Sequence, residues 1–239
     1  MQETIENNAG GGPAVAVTSN PEASPVFQIL SHEQIPLTKT RAFLLCLAAG
    51  GAFQLAYSFE RLSFLIAVYL WCLIELTRLP SARQASYFGL LAGLLAFAPQ
   101  LGFFWKLFGA AAIALWLISA FWIRMFLAAG RSCVARFGPV SAALLIPFFW
   151  LGFEFFRSEL YYLRFSWLNA GYVFSNRLDW LPMKWLGNYG FGFVLVAAIC
   201  LIRLLKPLPR RIAAGSGIAL LAVLVNLPRV ESPAVTSVT

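Results

Sequence analysis

From Ala42 onward the sequence alternates long apolar stretches with short polar or basic breaks, and the apolar stretches show little periodicity. Segments that are apolar on every side are typical of helices surrounded by other helices or by lipid. About 20 apolar residues are needed to cross a bilayer as a helix. We therefore predict seven membrane-spanning helices, at residues 42–58, 62–77, 86–105, 107–127, 139–156, 188–205 and 212–227.

The predicted fold class is all-α: a polytopic membrane helix bundle of about seven transmembrane helices with a long aromatic outer loop. Composition supports this prediction, because 60% of the 239 residues are hydrophobic and only 12% are charged. Soluble domains carry about 25% charged residues. The net charge of +8 is interpreted as membrane topology, since no basic soluble segment interleaved with aromatic residues is present to hold nucleic acid.

The bundle is predicted to occupy residues 41–228, with a polar segment on either side. Residues 1–40 are rich in Gly, Pro, Asn, Ser and Glu, which is typical of a disordered tail, and His32 within it is expected to be solvated. The first apolar run begins too late for a secretory signal, so we expect the tail to be retained. Residues 229–239 are expected to form a short outer tail.

The basic residues between the predicted helices orient the bundle. With the N-terminus inside, eleven Lys and Arg residues lie on the cytoplasmic side and seven on the outer side, and four of those seven fall in one long loop. This asymmetry predicts a cytoplasmic N-terminus and a periplasmic C-terminus in a bacterial inner membrane. Arg124 is expected near an inner helix end, with its long side chain reaching the interface. Glu75 and Arg78, three residues apart, are expected to pair.

The outer loop at residues 156–187 is unusually long and aromatic. Tryptophan and tyrosine are enriched at the level of lipid headgroups. We therefore expect the loop to fold over or into the outer leaflet. Its aromatic residues include Tyr161, Tyr162, Trp167, Tyr172, Trp180 and Trp185.

Glu154 is an ionisable residue near the outer end of an otherwise apolar segment, and Arg157 follows one helical turn later. A charged group at such depth usually faces the protein interior and has a partner. One interpretation is a structural ion pair between Glu154 and Arg157 that holds the loop. The other is a polar group at the mouth of a lipid-binding cavity.

These residues also belong to a recognisable pattern. Trp150, Glu154 and Arg157, followed by RFSWLNAGY and WLGNYGFGFVLVA, resemble the membrane domain of bacterial apolipoprotein N-acyltransferases. That family shows W-x-x-x-E-[WY]-x-R on a helix, then a G-F-P-W loop followed by Gly, then G-x-x-G-x-[ST]-F. The earlier run FGLLAGLLAFAPQLGFFW resembles the family's third helix, and the likeness extends over residues 42–227.

The resemblance implies an outward-facing cavity where a phospholipid and the modified N-terminus of a lipoprotein meet the enzyme. Trp167 matches the family's loop tryptophan, although an interfacial anchor is the alternative. Two positions depart from the pattern, since Ser166 replaces Pro and Gly192 replaces the hydroxyl residue. The residues predicted to form the lipid or substrate cavity, or a docking site for a partner, are Glu154, Arg157, Trp167, Asn169, Gly171, Tyr172, Gly187, Tyr189 and Gly190.

The family's chemistry resides in a nitrilase-like domain after the seventh helix, with a Cys nucleophile, a Glu base and a Lys. Here the sequence ends shortly after the seventh predicted helix. Three cysteines lie in apolar runs, where ionisation is opposed, and all four are expected to be small buried apolar residues. Cys133 is predicted to lie on the inner side. With His32 as the only histidine, we predict no catalytic residue, no metal and no cofactor in this chain.

Several functions fit this sequence. The chain is interpreted as a membrane protein that binds phospholipid acyl chains or lipoprotein and lacks its own catalytic centre. One alternative is the membrane half of a split N-acyltransferase that works with a separate nitrilase-like subunit, which would associate tightly. Another is a structural subunit of a membrane complex, and a third is that the sequence is a truncated product. A transporter is disfavoured, because few ionisable groups lie centrally in the helices.

Overall fold

A computed structural model describes residues 37–177, 181–205 and 207–227. Most of the predicted tail at 1–40, including His32, lies outside these residues, as do Trp180 and the predicted outer tail at 229–239. The first helix begins before the predicted bundle boundary, at Lys39. Thr38 caps it, because its side-chain Oγ1 accepts a hydrogen bond from the Arg41 N–H over 3.4 Å.

The described residues are helical or lie in turns, and no strand occurs among them. The fold class is therefore all-α, as predicted. The helices are α1 (Lys39–Ser58), α2 (Leu65–Leu76), α3 (Ala82–Gln100), α4 (Phe103–Phe108), α5 (Ala111–Phe155), α6 (Leu181–Arg203) and α7 (Pro207–Asn226), with a π-helical turn at Phe156–Leu160 and 3₁₀ turns at Glu60–Leu62 and Ala170–Arg177.

Within the described residues, three helical segments are long and apolar enough to cross a membrane: Ala111–Leu160, Met183–Arg203 and Pro207–Asn226. The segment α2 is apolar but shorter. Each of the seven predicted spans nevertheless coincides with helix over most of its length. Length and composition thus support a membrane protein, while a count of seven crossings stays a prediction.

Helix α5 is a helical hairpin that turns at a single residue. Gly138 has φ +77° and ψ 174°, a backbone conformation open almost only to glycine. Residues equidistant from Gly138 face each other, as the rings of Phe126 and Trp150 do at a centroid distance of 5.0 Å. Pro139 is the first residue of the second limb. The N–H of a first helical residue has no acceptor within the helix, so the N–H that proline lacks is not needed there.

This hairpin corrects the predicted connection between residues 127 and 139. The first limb continues as helix to residue 137, so the basic segment with Arg131 and Cys133 is helical rather than a loop. Arg124 consequently lies in the middle of that limb, not near its end as expected. Arg131 and Arg136 interrupt the apolar run without ending the helix.

A buried polar contact joins α1 to α3 around Pro99. Proline has no N–H, so the carbonyl of Leu95, four residues earlier, lacks its helical donor. The side-chain amide of Gln54 on α1 donates to this carbonyl over 2.9 Å and to the carbonyl of Ala96 over 2.8 Å. Gln100 in turn donates to Gln54 Oε1 over 2.8 Å. A helix irregularity on α3 therefore becomes an inter-helix contact.

At the C-terminal end of α2, the predicted pair of Glu75 and Arg78 is confirmed, with 3.1 Å between Oε2 and Nη1. Arg203, at the end of α6, adds a second cation, with its Nε 3.4 Å from Glu75 Oε1. Arg203 also donates from Nη1 to the Ile74 carbonyl over 2.6 Å. This third member could not be predicted from the local pattern, because Arg203 is distant along the chain.

Candidate functional site

Glu154 is buried in the last turn of α5, as its predicted cavity role requires. Its Oε1 accepts a hydrogen bond from the backbone N–H of Ala170 over 2.7 Å. Of the two interpretations, the direct ion pair with Arg157 is not formed, because the carboxylate reaches the loop backbone instead. Glu154 therefore holds the loop through a main-chain contact.

Arg157 is also buried, and it lies in the π-helical turn that ends α5. Its Nη2 donates to the side-chain oxygen Oδ1 of Asn169, and its guanidinium lies 5.3 Å from the centre of the Phe97 ring. A buried guanidinium is stabilised by a hydrogen-bond acceptor and an aromatic face.

Asn169 is the centre of this site. Its Nδ2 donates to Ser158 Oγ over 3.1 Å, and its backbone carbonyl accepts from the Tyr57 hydroxyl over 2.6 Å. One residue thus joins the loop to the end of α5 and to α1. The sequence indicated Asn169 and Arg157 but missed Tyr57 and Ser158, which lie in runs without any distinguishing pattern.

Trp167 and Tyr172 lie on the outside of this buried centre and are substantially exposed. Together with Tyr57, Ser63 and neighbouring residues they line an open cleft of about 560 Å³, which we call the loop cleft. Trp167 also stacks against Phe104, with ring centroids 6.4 Å apart. Buried polar groups behind the two aromatic side chains therefore fix the wall of a sizeable cleft.

The predicted glycine positions lie where the loop meets α6 and do not line the loop cleft. At Gly171 the backbone of α6 approaches so closely that a Cβ would lie 2.0 Å from the Asn188 carbonyl oxygen. Gly187 interrupts α6 with φ +62°, and a Cβ on Gly190 would lie 2.9 Å from Leu186 Cβ. Tyr189 donates from its hydroxyl to Glu159 Oε1 over 2.6 Å. These residues position the loop against α6.

A second opening, the apolar groove, lies between α2, α6 and α7 and has a volume of about 260 Å³. Trp71, Leu195 and Ile199 are among its lining residues, and Gly217 lies on its α7 wall. The sequence analysis did not anticipate it, since a groove depends on how three helices pack.

Potential nucleophiles and metal ligands are sparse in the described part of the chain. All four cysteines are buried, which confirms the prediction that they are small core residues. Cys46, for example, donates its thiol to the Phe88 carbonyl over 3.4 Å. No group of three or more His, Cys, Asp or Glu residues that could hold a metal occurs among the described residues.

The chain matches a model of a known protein family. The family model described as apolipoprotein N-acyltransferase N-terminal domain matches residues 27–201. The matched range contains Glu154, Arg157, Asn169 and the loop cleft. No curated protein matches the chain significantly.

Proposed function

Because the chain belongs to the apolipoprotein N-acyltransferase N-terminal domain family, we propose that it binds a phospholipid or a lipoprotein. The observation that carries this proposal is the loop cleft. It has an aromatic wall of Trp167 and Tyr172, and polar groups of Tyr57 and Ser63 lie beside that wall. Aromatic rings with neighbouring hydroxyls suit the glycerol and ester region of a lipid, which lies between water and hydrocarbon.

The apolar groove is the proposed site for an acyl chain. Its lining is almost wholly hydrocarbon, and it runs between three helices, two of which are long and apolar enough to cross a membrane. Ser63 lines the loop cleft and Ala67, one helical turn later, lines the groove. The two openings are therefore close together at the start of α2. This closeness supports a lipid whose polar part occupies the cleft and whose chain occupies the groove.

The proposed topology is a seven-span bundle in a bacterial inner membrane. In it the N-terminus is cytoplasmic, the C-terminus is periplasmic, and residues 156–187 form the aromatic outer loop. The distribution of Lys and Arg supports this orientation. The exposed Tyr162 and Trp185 support a loop at the level of the headgroups.

A pair of glycine substitutions on α7 tests the acyl-chain site. Gly217 lines the groove and Gly215 does not, yet a Cβ at either position meets nothing within 4 Å. Gly217→Leu is expected to fill the groove without a clash and to reduce acyl-chain binding severalfold, while Gly215→Leu leaves binding unchanged. The measurement is photo-crosslinking of a phospholipid with a diazirine in its acyl chain, in vesicles of phosphatidylethanolamine and phosphatidylglycerol. Equal crosslinking of both variants and the unmodified protein would contradict the proposal.

The second candidate function is the membrane half of a split N-acyltransferase, with a nitrilase-like subunit that supplies the chemistry. The burial of all four cysteines favours it over catalysis by this bundle, since a nucleophilic thiol needs access and nearby positive charge. The bundle would then contribute the position of the ester carbonyl. A pull-down in mild detergent with mass spectrometry tests this idea. Recovery of an equimolar nitrilase-like chain supports it. Recovery of subunits of another assembly supports a structural role in a membrane complex.

A further inference from the structure

Arg78 and Arg203 line a small, partly open cavity, which we call the basic cavity. It lies at the C-terminal end of α2, whereas the loop cleft lies near the start of that helix. Pro139, at the turn of the α5 hairpin, also belongs to its lining. The basic cavity is therefore at an end of the bundle where α5 turns and α6 ends. For helices that cross a bilayer, this is the level of the lipid headgroups.

The basic cavity contains two guanidinium groups and no carboxylate. Glu75 contacts both arginines, at 3.1 Å from Arg78 and 3.4 Å from Arg203, but it does not line the cavity. The Arg203 side chain is nine-tenths buried, with 10% of its surface exposed. Arg131 reaches the same region, because it donates to the Pro80 carbonyl over 2.9 Å. Glu75 thus positions two cations at the wall of the cavity.

Acidic residues other than Glu75 lie far from the basic cavity in the described part of the chain. Glu60 lines the loop cleft, while Glu154 and Glu159 bond to the loop and to α6 beside it. Arg210, at the start of α7, adds a further cation that is close enough to interact electrostatically with Arg203. The excess of positive charge at this end attracts an anion.

The size of the basic cavity restricts the part of a ligand that can enter. Its volume is about 40 Å³. One water molecule needs about 10–15 Å³ of such space, so the cavity admits about three atoms of that size. The free oxygens of a phosphate ester fit this space and are acceptors that suit guanidinium donors. A whole lipid headgroup is too large, so the rest of the ligand lies outside the cavity.

The apolar part of the lining favours a phospholipid over free phosphate. Ala142 and Ile146 of α5 and Leu204 after α6 contribute to this wall. An inorganic phosphate gains nothing from hydrocarbon, whereas the first carbons of an acyl chain are stabilised by burial against it. The surplus positive charge also repels the ammonium group of phosphatidylethanolamine. It does not repel the uncharged glycerol of phosphatidylglycerol.

We propose that the basic cavity binds the phosphate group of an anionic phospholipid, with Arg203 and Arg78 as donors to its oxygens. Basic pockets between membrane helices are suited to such headgroups. The bound lipid joins the ends of α2, α5 and α6. It is separate from the ligand of the loop cleft, so this proposal does not depend on the proposed function.

Native mass spectrometry of the whole protein in mild detergent tests the headgroup preference. The unmodified protein is expected to bind phosphatidylglycerol severalfold more tightly than phosphatidylethanolamine. Arg203→Gln should weaken phosphatidylglycerol binding about tenfold, as expected for one hydrogen bond to a charged group. Arg136→Gln is the matched control, because Arg136 is an exposed cation at the same end that does not line the cavity. It should weaken binding by less than about twofold. Equal effects of the two substitutions would overturn the proposal.

Photo-crosslinking of the unmodified protein tests the site even if Arg203→Gln does not fold. Phosphatidylglycerol with a diazirine on the first carbons of its acyl chain is expected to attach to residues 139–146. The same analogue of phosphatidylethanolamine should attach there severalfold less, and an excess of inorganic phosphate should leave the adduct unchanged. Equal labelling by the two lipids, or no adduct in this segment, would overturn the proposal. Displacement by inorganic phosphate would also overturn it, since the cavity would then be a site for free phosphate.

Discussion

Asn169 makes contacts to three separate parts of the chain, and each uses a different polar group. Its Oδ1 accepts from Arg157, its Nδ2 donates to Ser158, and its carbonyl accepts from Tyr57. Asn169, Arg157 and Ser158 are buried. Hydrogen bonds to charged groups are worth about 1.5–3 kcal/mol. A side chain at this position without an acceptor would therefore leave the Arg157 guanidinium buried and unsatisfied.

We predict that Asn169→Leu lowers the free energy of unfolding by about 2–3 kcal/mol, because Arg157 loses its acceptor. Asn169→Asp keeps an acceptor oxygen for Arg157 and is the matched control, with less than half of that loss expected. Thermal unfolding in detergent, followed by near-ultraviolet circular dichroism, is the measurement. If both variants unfold at the temperature of the unmodified protein, the hydrogen bond to Arg157 does not stabilise the loop.

At this scale the sequence indicated which residues matter better than it indicated their contacts. Glu154 and Arg157 were identifiable as ionisable residues in an apolar stretch, and both are buried. Their spacing predicted a mutual pair, since residues three apart are neighbours on an α-helix. The π-helical turn changes that spacing, and the real contacts come from Asn169 and Ala170. A local sequence pattern does not predict contacts between residues that are separated by a dozen residues of irregular loop.

Between elements, the contact of Gln54 with α3 compensates for a proline. Pro99 removes one helical hydrogen bond, and Gln54 supplies the donor that the Leu95 carbonyl lacks. The contribution of Gln54 should therefore depend on whether residue 99 has an N–H. Hydrogen bonds between helices in a membrane contribute about 0.6 kcal/mol on average and up to about 1.7 kcal/mol.

A double-mutant cycle tests this dependence. We predict that Gln54→Leu lowers the free energy of unfolding by about 1 kcal/mol in the unmodified protein. In a Pro99→Ala background the same change should cost less, because alanine's N–H can bond the Leu95 carbonyl. A coupling of at least 0.5 kcal/mol is the expected lower limit for contacting residues. Equal costs in the two backgrounds, measured by unfolding in mixed detergents, would show that Gln54 does not act through this carbonyl.

The helices themselves were largely predictable, because long apolar stretches leave few other structures in a membrane. Their ends were not. The Gly138–Pro139 pair is a usual signal for one helix ending and another beginning, yet hydropathy placed the first end near residue 127. Basic residues such as Arg131 interrupted the apolar run without interrupting the helix. In this chain the position of a charged residue does not indicate where a helix ends.

For the whole molecule, cysteine labelling tests the proposed orientation. The four native cysteines are buried, so background labelling by a membrane-impermeant maleimide should be low. Tyr162 and Arg136 are exposed and lie near opposite ends of the second limb of α5. We predict that Tyr162→Cys reacts from the periplasmic side and that Arg136→Cys reacts only after the membrane is permeabilised. The reverse pattern would show that the charge distribution was misinterpreted.

The single-residue turn at Gly138 also has a consequence for synthesis of the protein. In the proposed topology, a turn this short requires the two limbs of α5 to insert together as one unit. The second limb carries Glu154 and leads directly into Arg157. In that topology, the side of the membrane on which these two residues are displayed is set by the insertion of the hairpin.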